Sequence, residues 1–335
     1  MFSGKKILIT GGTGSLGQAL TKRLLELDAE QIRIFSRNEY KQIEMESKFS
    51  DSRLRFLIGD IRDLSRLIRA IEEVDYVFHA AALKHVPLVE HNPFEAIKTN
   101  VVGSQNVIDA CLVNDVEKTV CIGTDKGVSP LNTYGATKLL MEKLFFTASH
   151  YSNPRKHPTK FIAIRYGNVL GSSGSVIPKF IQQIKLKQKI TITDPKMTRF
   201  SITMDEALDF IVNATMKGQG SEVFIPKLKA YSIMDLKEVL FELIGDAGEE
   251  IIGMRPGEKL HETLISIDEI RNSWELENMY MIGNQFYPRF LEDKIREFYK
   301  NIKKVENLEE YSSNTVEKIS KSELKQAILK SGLLN

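Results

Sequence analysis

Cysteine is scarce: Cys111 and Cys121 are the only two in 335 residues. A disulfide framework and a cysteine-based metal cluster are therefore excluded. No apolar run reaches the roughly 18 residues that suggest a membrane span. The opening Met1-Phe2-Ser3-Gly4-Lys5-Lys6 passes into a strand-like segment without the apolar stretch of a secretion signal. No membrane partner is expected, and the expected location is the cytoplasm. Charge of one sign is lacking too. The 46 Lys+Arg nearly balance the 44 Asp+Glu, giving a net +2 spread along the chain. That excludes a nucleic-acid partner held by a dominant basic face. His79, His85, His91, His150, His157 and His261 have no metal-ligand spacing. His261-Glu262 is not followed by the second histidine of a zinc protease motif, so no metal is expected. The aromatic residues near 279–298 read as packing under a tail, not as a base-stacking platform. Internal repeats and low-complexity tracts are absent as well.

What is present is the mix of a globular protein, 42% hydrophobic and 27% charged. Residues 5–10 (KKILIT) form a short apolar run ending in glycines, which reads as a buried parallel strand. Residues 15–27 place Leu16, Leu20, Leu24 and Leu27 on one helical face. Further strands are expected at 31–36, 54–58, 74–79, 117–123 and 160–166. Helices are expected near 39–49, 63–72, 93–114 and 133–149. Strands alternating with helices predict an α/β fold with a doubly wound parallel sheet of the Rossmann kind. After about residue 168 the rhythm changes, with Gly and Ser clustered at 171–175. Helices near 176–188, 203–217 and 232–245 and strands near 190–193, 222–225 and 250–253 follow. The expected division is a cofactor-binding domain over 1–168 and a smaller substrate-binding lobe over 169–335. Some segments of that lobe are expected to return to the first domain, and the end is a polar tail with a helix near 321–332.

Gly11, Gly14 and Gly17 form Gly-x-x-Gly-x-x-Gly between the first strand and the first helix. Such a turn must be tight, let the backbone approach a pyrophosphate and let the helix pack close to the sheet. The amide groups and the positive end of the helix dipole then face the phosphates. At the end of the second strand stands Ser36-Arg37, where an acidic residue would bind a ribose 2′-hydroxyl. Arg37 suits a 2′-phosphate, so NADP is expected before NAD. Asp60, after the third strand, reads either as an acceptor for an adenine amino group or as the N-cap of the next helix. Ala80, Ala81 and Ala82 leave room beside the fourth strand for a flat cofactor.

Thr124, Tyr134 and Lys138 carry the strongest signal. Tyr134-Gly-Ala-Thr-Lys138 puts a phenol and an ammonium on one helical face. A nearby cation stabilises tyrosinate, so the phenol can act as a base, and Thr124 can hydrogen-bond the same substrate oxygen. With the glycine loop, this set resembles the extended short-chain dehydrogenase/reductase superfamily from residue 5 to about 290. The resemblance implies a Rossmann domain, a tightly held nicotinamide cofactor and often a nucleotide-sugar substrate. Asp125 and Lys126 narrow the choice. Oxidation of a sugar at C4 acidifies the hydrogen at C5, so a base can remove it while an acid protonates the departing C6 hydroxyl. A 4-epimerase needs neither group.

Six segments occur in order: Ala81-Ala-Leu-Lys-His-Val-Pro87, Thr124-Asp-Lys126, Tyr134-Gly-Ala-Thr-Lys138, Arg165-Tyr-Gly-Asn-Val169, Met197-Thr-Arg-Phe200 and Arg255-Pro-Gly-Glu-Lys-Leu-His261. Together they are similar to the inverting UDP-N-acetylglucosamine 4,6-dehydratases, which open pseudaminic acid synthesis. Retaining relatives usually carry a membrane-spanning region and Met in place of Tyr134. The resemblance implies that Tyr134, backed by Lys138, deprotonates the C4 hydroxyl, Lys126 removes the C5 proton and Asp125 protonates the C6 hydroxyl. It implies a cofactor site of Gly11, Thr13, Gly14, Ser15, Leu16, Gly17, Ser36, Arg37, Asp60, Ile61, Ala80, Ala81, Ala82, Lys84, Tyr134 and Lys138. The implied site for UDP-N-acetylglucosamine comprises Lys84, Asn168, Val176, Thr193, Arg199, Arg255 and Glu258. Arg199 and Arg255 are expected at the diphosphate, because guanidinium forks match phosphate oxygens. At least a dimer is expected, paired through helices that include the one bearing Tyr134. The rival readings are a UDP-sugar 4-epimerase and a cofactor-binding sensor or scaffold that turns nothing over.

Overall fold

The computed structural model describes residues 2–151, 158–172, 174–286, 292–306 and 308–334. Of the residues singled out above, His157, Ser173, Tyr287 and Phe290 lie outside the described residues, as does the side chain of His150.

Six strands, β1 (Lys6–Thr10), β2 (Gln31–Ser36), β3 (Leu54–Ile58), β4 (Tyr76–His79), β5 (Lys118–Ile122) and β6 (Lys160–Ile164), run parallel in the order β3-β2-β1-β4-β5-β6. Helices on both faces cover them: α1 (Ser15–Glu26), α2 (Glu39–Phe49), α3 (Leu64–Ile71), α4 (Val86–His91), α5 (Pro93–Ala96), α6 (Gly103–Val113) and α7 (Thr133–Tyr151). The period of two in β1 explains the layering. Ile7 and Ile9 pack with Leu20 and Leu24 of α1 on one side, while Leu8 packs with Phe35 and Leu67 on the other.

Four strands from beyond residue 169 extend the same sheet. Glu222–Pro226 adds in parallel to β6, followed by the antiparallel strands Met279–Gly283, Ser273–Glu275 and Lys303–Lys304. A separate core lies between the helices Val176–Lys185, Ile233–Ile244 and Lys321–Lys330, where Phe180, Leu236, Leu324 and Ile328 are buried. The chain end is thus not a loose polar tail: Leu324 and Ile328, four apart, seat the last helix on this lobe.

Two local features differ from the sequence expectation. The helical stretch expected over 93–114 is divided into α5, a π-helical turn Ile97–Val102 and α6. Asp60 does not cap the following helix. Asp63 does so, accepting from the Arg66 amide, while Asp60 accepts from the Arg62 amide and guanidinium.

Candidate active site

The parallel strands all point their carboxyl ends at one cleft of about 1200 Å³, more than a single small ligand needs. Every residue of the expected cofactor and substrate sites lines it, and so do Thr124, Lys126, Tyr134 and Lys138. Asp125 alone of the expected set does not; it is fully buried behind Thr124 and Lys126.

The cofactor end is built for backbone contact. Gly11 turns the chain out of β1 at φ +68°, where a Cβ would stand 2.9 Å from the Ala81 backbone. At Gly17 a Cβ would meet the Gly12 carbonyl oxygen at 2.4 Å, so α1 sits against the loop only because that side chain is absent. Gly14 is the N-cap of α1, which aims the first amides of the helix at the cleft. These glycines fit a dinucleotide pyrophosphate. Further along, Ser36, Arg37 and Lys41 line the wall at the end of β2. The Arg37 side chain is 54% exposed, with Nη1 3.8 Å from Asp60 Oδ2. Lys41 was not legible as a site residue. It enters because Asn38 accepts from its amide and begins α2 at that point.

The candidate catalytic groups come from two neighbouring elements. Two residues beyond β5, Thr124 caps a single 3₁₀ turn, Asp125–Gly127. The Thr124 hydroxyl donates to Asp125 Oδ1 at 2.8 Å. Lys126 Nζ donates to the same Oδ1 at 3.1 Å and to Asn168 Oδ1 at 2.9 Å, and lies 3.4 Å from Glu262 Oε1. Burial works against the Lys126 ammonium, but the carboxylates of Asp125 and Glu262 outweigh it, so Lys126 holds its proton above the ordinary lysine range. Tyr134, at the start of α7, is pushed up to about 12 by burial, opposed by the Lys126 ammonium and a hydrogen bond with Thr124. Lys138 Nζ donates to the Ile122 carbonyl at 2.7 Å, and burial lowers it to about 8. The cation that eases ionisation of Tyr134 here is Lys126.

At the substrate end, Val176 opens the helix Val176–Lys185, and Lys84, Thr193, Arg255 and Glu258 line the wall. Lys179, which the sequence pattern did not mark, joins them and donates to Thr191 Oγ1 at 2.6 Å. Arg255-Pro-Gly-Glu258 is a turn, closed by the Glu258 amide on the Arg255 carbonyl. It docks on Asn132, whose side-chain amide donates to the Gly257 carbonyl at 2.8 Å, beside the start of α7. Arg199 is 7% exposed, and its guanidinium donates to the carbonyls of Thr198, Lys259 and Leu260. It therefore pins the 259–260 backbone to the cleft floor. Asn168 lines the cleft and has its amide oxygen taken up by Lys126.

A buried ion cluster supports the catalytic helix. Arg165, 0% exposed, is bidentate to Glu142 at 2.6 Å and also binds Glu269 at 2.7 and 2.9 Å. Glu142 lies on the same helix as Tyr134 and Lys138 at successive four-residue steps, a spacing that could have flagged it. Glu269 comes from the short helix Ile267–Ile270. Glu262, also missed, differs from the other carboxylates in facing both Lys126 and Arg199. Among the described residues no group of His, Cys, Asp and Glu could hold a metal ion, and no helix is long and apolar enough to cross a membrane.

The chain is similar to proteins of known kind over most of its length. The polysaccharide biosynthesis protein family matches residues 7–284. A UDP-N-acetylglucosamine 4,6-dehydratase (inverting) from Campylobacter jejuni is 48% identical over 285 residues, covering 84% of each chain. A UDP-glucose 4-epimerase from Rickettsia massiliae is 40% identical over 338 residues, covering 98% of this chain and 96% of that one. Among solved structures, the X-ray structure of Pen from Bacillus thuringiensis overlays with a TM-score of 0.90 at 41% identity, over 100% of this chain and 99% of that one. With its Rossmann sheet, glycine loop and Tyr134–Lys138 helix inside that match, the chain belongs to the polysaccharide biosynthesis protein family.

Proposed function

We infer that the protein is a UDP-N-acetylglucosamine 4,6-dehydratase that inverts C5, a lyase forming UDP-2-acetamido-2,6-dideoxy-β-L-arabino-hex-4-ulose. The observation that carries this is the Lys126–Asp125 pair, 3.1 Å apart, beside Thr124 after β5 and Tyr134 at the start of α7. The 48% identity to the inverting dehydratase supports it.

A nicotinamide dinucleotide, its pyrophosphate on the Gly11–Gly17 loop, would supply the hydride chemistry, taking hydride from C4 and giving it back at C6 as C5 gains a proton on its opposite face. Tyr134 takes the proton of the C4 hydroxyl, with Thr124 beside it as a second hydrogen-bonding group. The resulting ketone acidifies C5. Breaking the C5–H bond sends that proton to Lys126 Nζ and its electron pair into the new C5–C6 double bond. The C6–O bond breaks, and the hydroxyl leaves as water with a proton from Asp125. A neutral lysine with a protonated aspartate holds as many protons as the ion pair found in the resting protein. One transfer across the Nζ–Oδ1 contact connects the two states. The elimination itself regenerates the ion pair.

NADP rather than NAD is our reading of the cofactor, supported by Arg37 and Lys41 at the ribose end and by the lack of an acidic residue at the tip of β2. Residues 1–168 hold the dinucleotide, and the lobe from 169 onward closes on the UDP sugar. The product enters pseudaminic acid-type nucleotide-sugar synthesis in the cytoplasm. A homo-oligomer is supported by apolar side chains exposed on α4 to α7, among them Leu88 at 62%, Val113 at 60% and Leu140 at 50%.

The second reading, a UDP-sugar 4-epimerase, has the Rickettsia relative in its favour. Incubation with UDP-N-acetylglucosamine in heavy water, followed by NMR, separates the two. A 4-keto-6-deoxy sugar with deuterium at C5 supports the dehydratase. A C4 epimer that keeps its C6 hydroxyl and its C5 hydrogen overturns it.

A further inference from the structure

Glu262 is 3% exposed, yet its carboxylate lines the cleft. Oε1 stands 3.4 Å from Lys126 Nζ and 3.7 Å from Arg199 Nε, and Oε2 is buried with no hydrogen-bond partner among the described residues. Its backbone is clamped from the far end of the chain. The Glu262 amide donates to Ser313 Oγ at 2.9 Å, and the Ser313 amide donates to the Glu262 carbonyl at 2.7 Å. The same fully buried Ser313 hydroxyl lies 2.8 Å from Thr198 Oγ1, next to Arg199. Around this point the strands Thr263–Ile265 and Tyr311–Ser312 pair antiparallel. Ser313 lies beyond the residues that the family match covers.

Given the dehydratase reaction inferred above, on which this step rests, we propose that Glu262, clamped by Ser313, is a positioning residue for elimination that holds Lys126 opposite Asp125 and strengthens it as the base for C5. The physical reason is electrostatic. Lys126 is neutral before it takes the C5 proton and positive afterwards. A fixed carboxylate 3.4 Å away in a half-enclosed cleft stabilises the charge as it develops. The ionisable groups facing Lys126 are Asp125 beside it, Glu262 and Lys259 from the 255–262 segment, Arg199, Tyr134 of α7 and Tyr231. Asp125 and Glu262 are the two carboxylates among them, and Asp125 is committed to the leaving hydroxyl.

Glu262→Gln keeps the shape and removes the charge. We expect turnover of UDP-N-acetylglucosamine to fall ~10²-fold with KM little changed. A deuterium isotope effect from C5-labelled substrate should grow as that step becomes limiting. The limb of the pH profile set by Lys126 should move to lower pH, because Lys126 loses a carboxylate that favours its proton. Glu262→Asp keeps the charge and should leave the profile in place while slowing turnover. Equal losses in both variants with an unmoved profile would reduce Glu262 to a structural prop and overturn the proposal, as would a wild-type rate in Glu262→Gln. If Glu262→Gln does not fold, Ser313→Ala decides the matter: a C5 isotope effect above wild type supports the proposal and an unchanged one overturns it. If the unaltered enzyme makes no 4-keto-6-deoxy sugar, the dehydratase assignment fails first.

Discussion

Lys126 Nζ and Asp125 Oδ1 lie 3.1 Å apart, so the two groups proposed as base and acid form an ion pair in the resting protein. The Asp125 side chain is 1% exposed and lies behind Thr124 and Lys126. Lys126→Ala is expected to abolish elimination while the protein folds and binds its cofactor. Thermal melting with and without cofactor checks the fold, and NMR of the sugar checks the chemistry. Normal product from that variant would remove Lys126 from the mechanism.

Cofactor preference tests the end of β2. Arg37→Glu reverses the charge at a half-exposed position and faces a 2′-phosphate with a carboxylate. NADP affinity should drop by about tenfold or more, the scale of one charge-assisted contact, while NAD affinity changes little. Titration with each nucleotide measures this. A similar loss for both would mean that Arg37 does not meet the 2′-phosphate.

Gly17→Ala probes the packing behind the glycine loop. The added methyl group meets the Gly12 carbonyl oxygen at 2.4 Å, and a backbone atom cannot swing aside as a flexible side chain can. We expect a destabilisation of roughly 1–3 kcal/mol, together with weaker nucleotide binding as the loop shifts. Chemical denaturation and nucleotide titration of the same variant report the two effects, and an unchanged midpoint with unchanged affinity would contradict the close approach.

Arg165 neutralises the buried carboxylate of Glu142 and the partly buried one of Glu269. Arg165→Met should cost about 3–5 kcal/mol, since Glu142 and Glu269 lose their shared partner. The cluster also predicts an acid limb. Burial opposes ionisation of Glu269, but its bonds to Arg165 win and hold it at about 2, below the usual 4.5. A carboxyl depressed on folding contributes stability that is complete above its ordinary range and is lost as pH falls through that range toward 2. Glu269→Gln should therefore flatten the decline of melting temperature between about pH 4.5 and 2. An equally steep decline in that variant would count against it.

Much of this was legible in one dimension because its causes are local. The glycine spacing must follow a strand and open a helix, and a period of four puts Tyr134 and Lys138 together whatever lies around them. Asp125 and Lys126 are adjacent in sequence, so placing Thr124 at a strand end places them too. Asp60 reads equally well as a cap, because any acid near a helix start can cap it. Asp63, three residues on, holds that place, since the cap must stand directly before the first helical residue. Glu142 could have been flagged by spacing, whereas Glu262 could not. Its neighbours Lys126 and Ser313 are distant in the chain, and nothing in His261-Glu262-Thr263 marks a residue facing a cleft.

By itself the sequence determined the alternation of strands and helices, the glycine turn after the first strand and the order of chemical groups along it. All of these follow from steric and hydrogen-bonding rules acting over a few residues. The tertiary structure decided what those groups become. It set Asp125 behind Lys126, fixed Arg165 between two carboxylates, and brought the chain end back so that Ser313 grips Glu262. Charge and burial act through space, so a side chain's protonation depends on neighbours that only the folded chain brings near it.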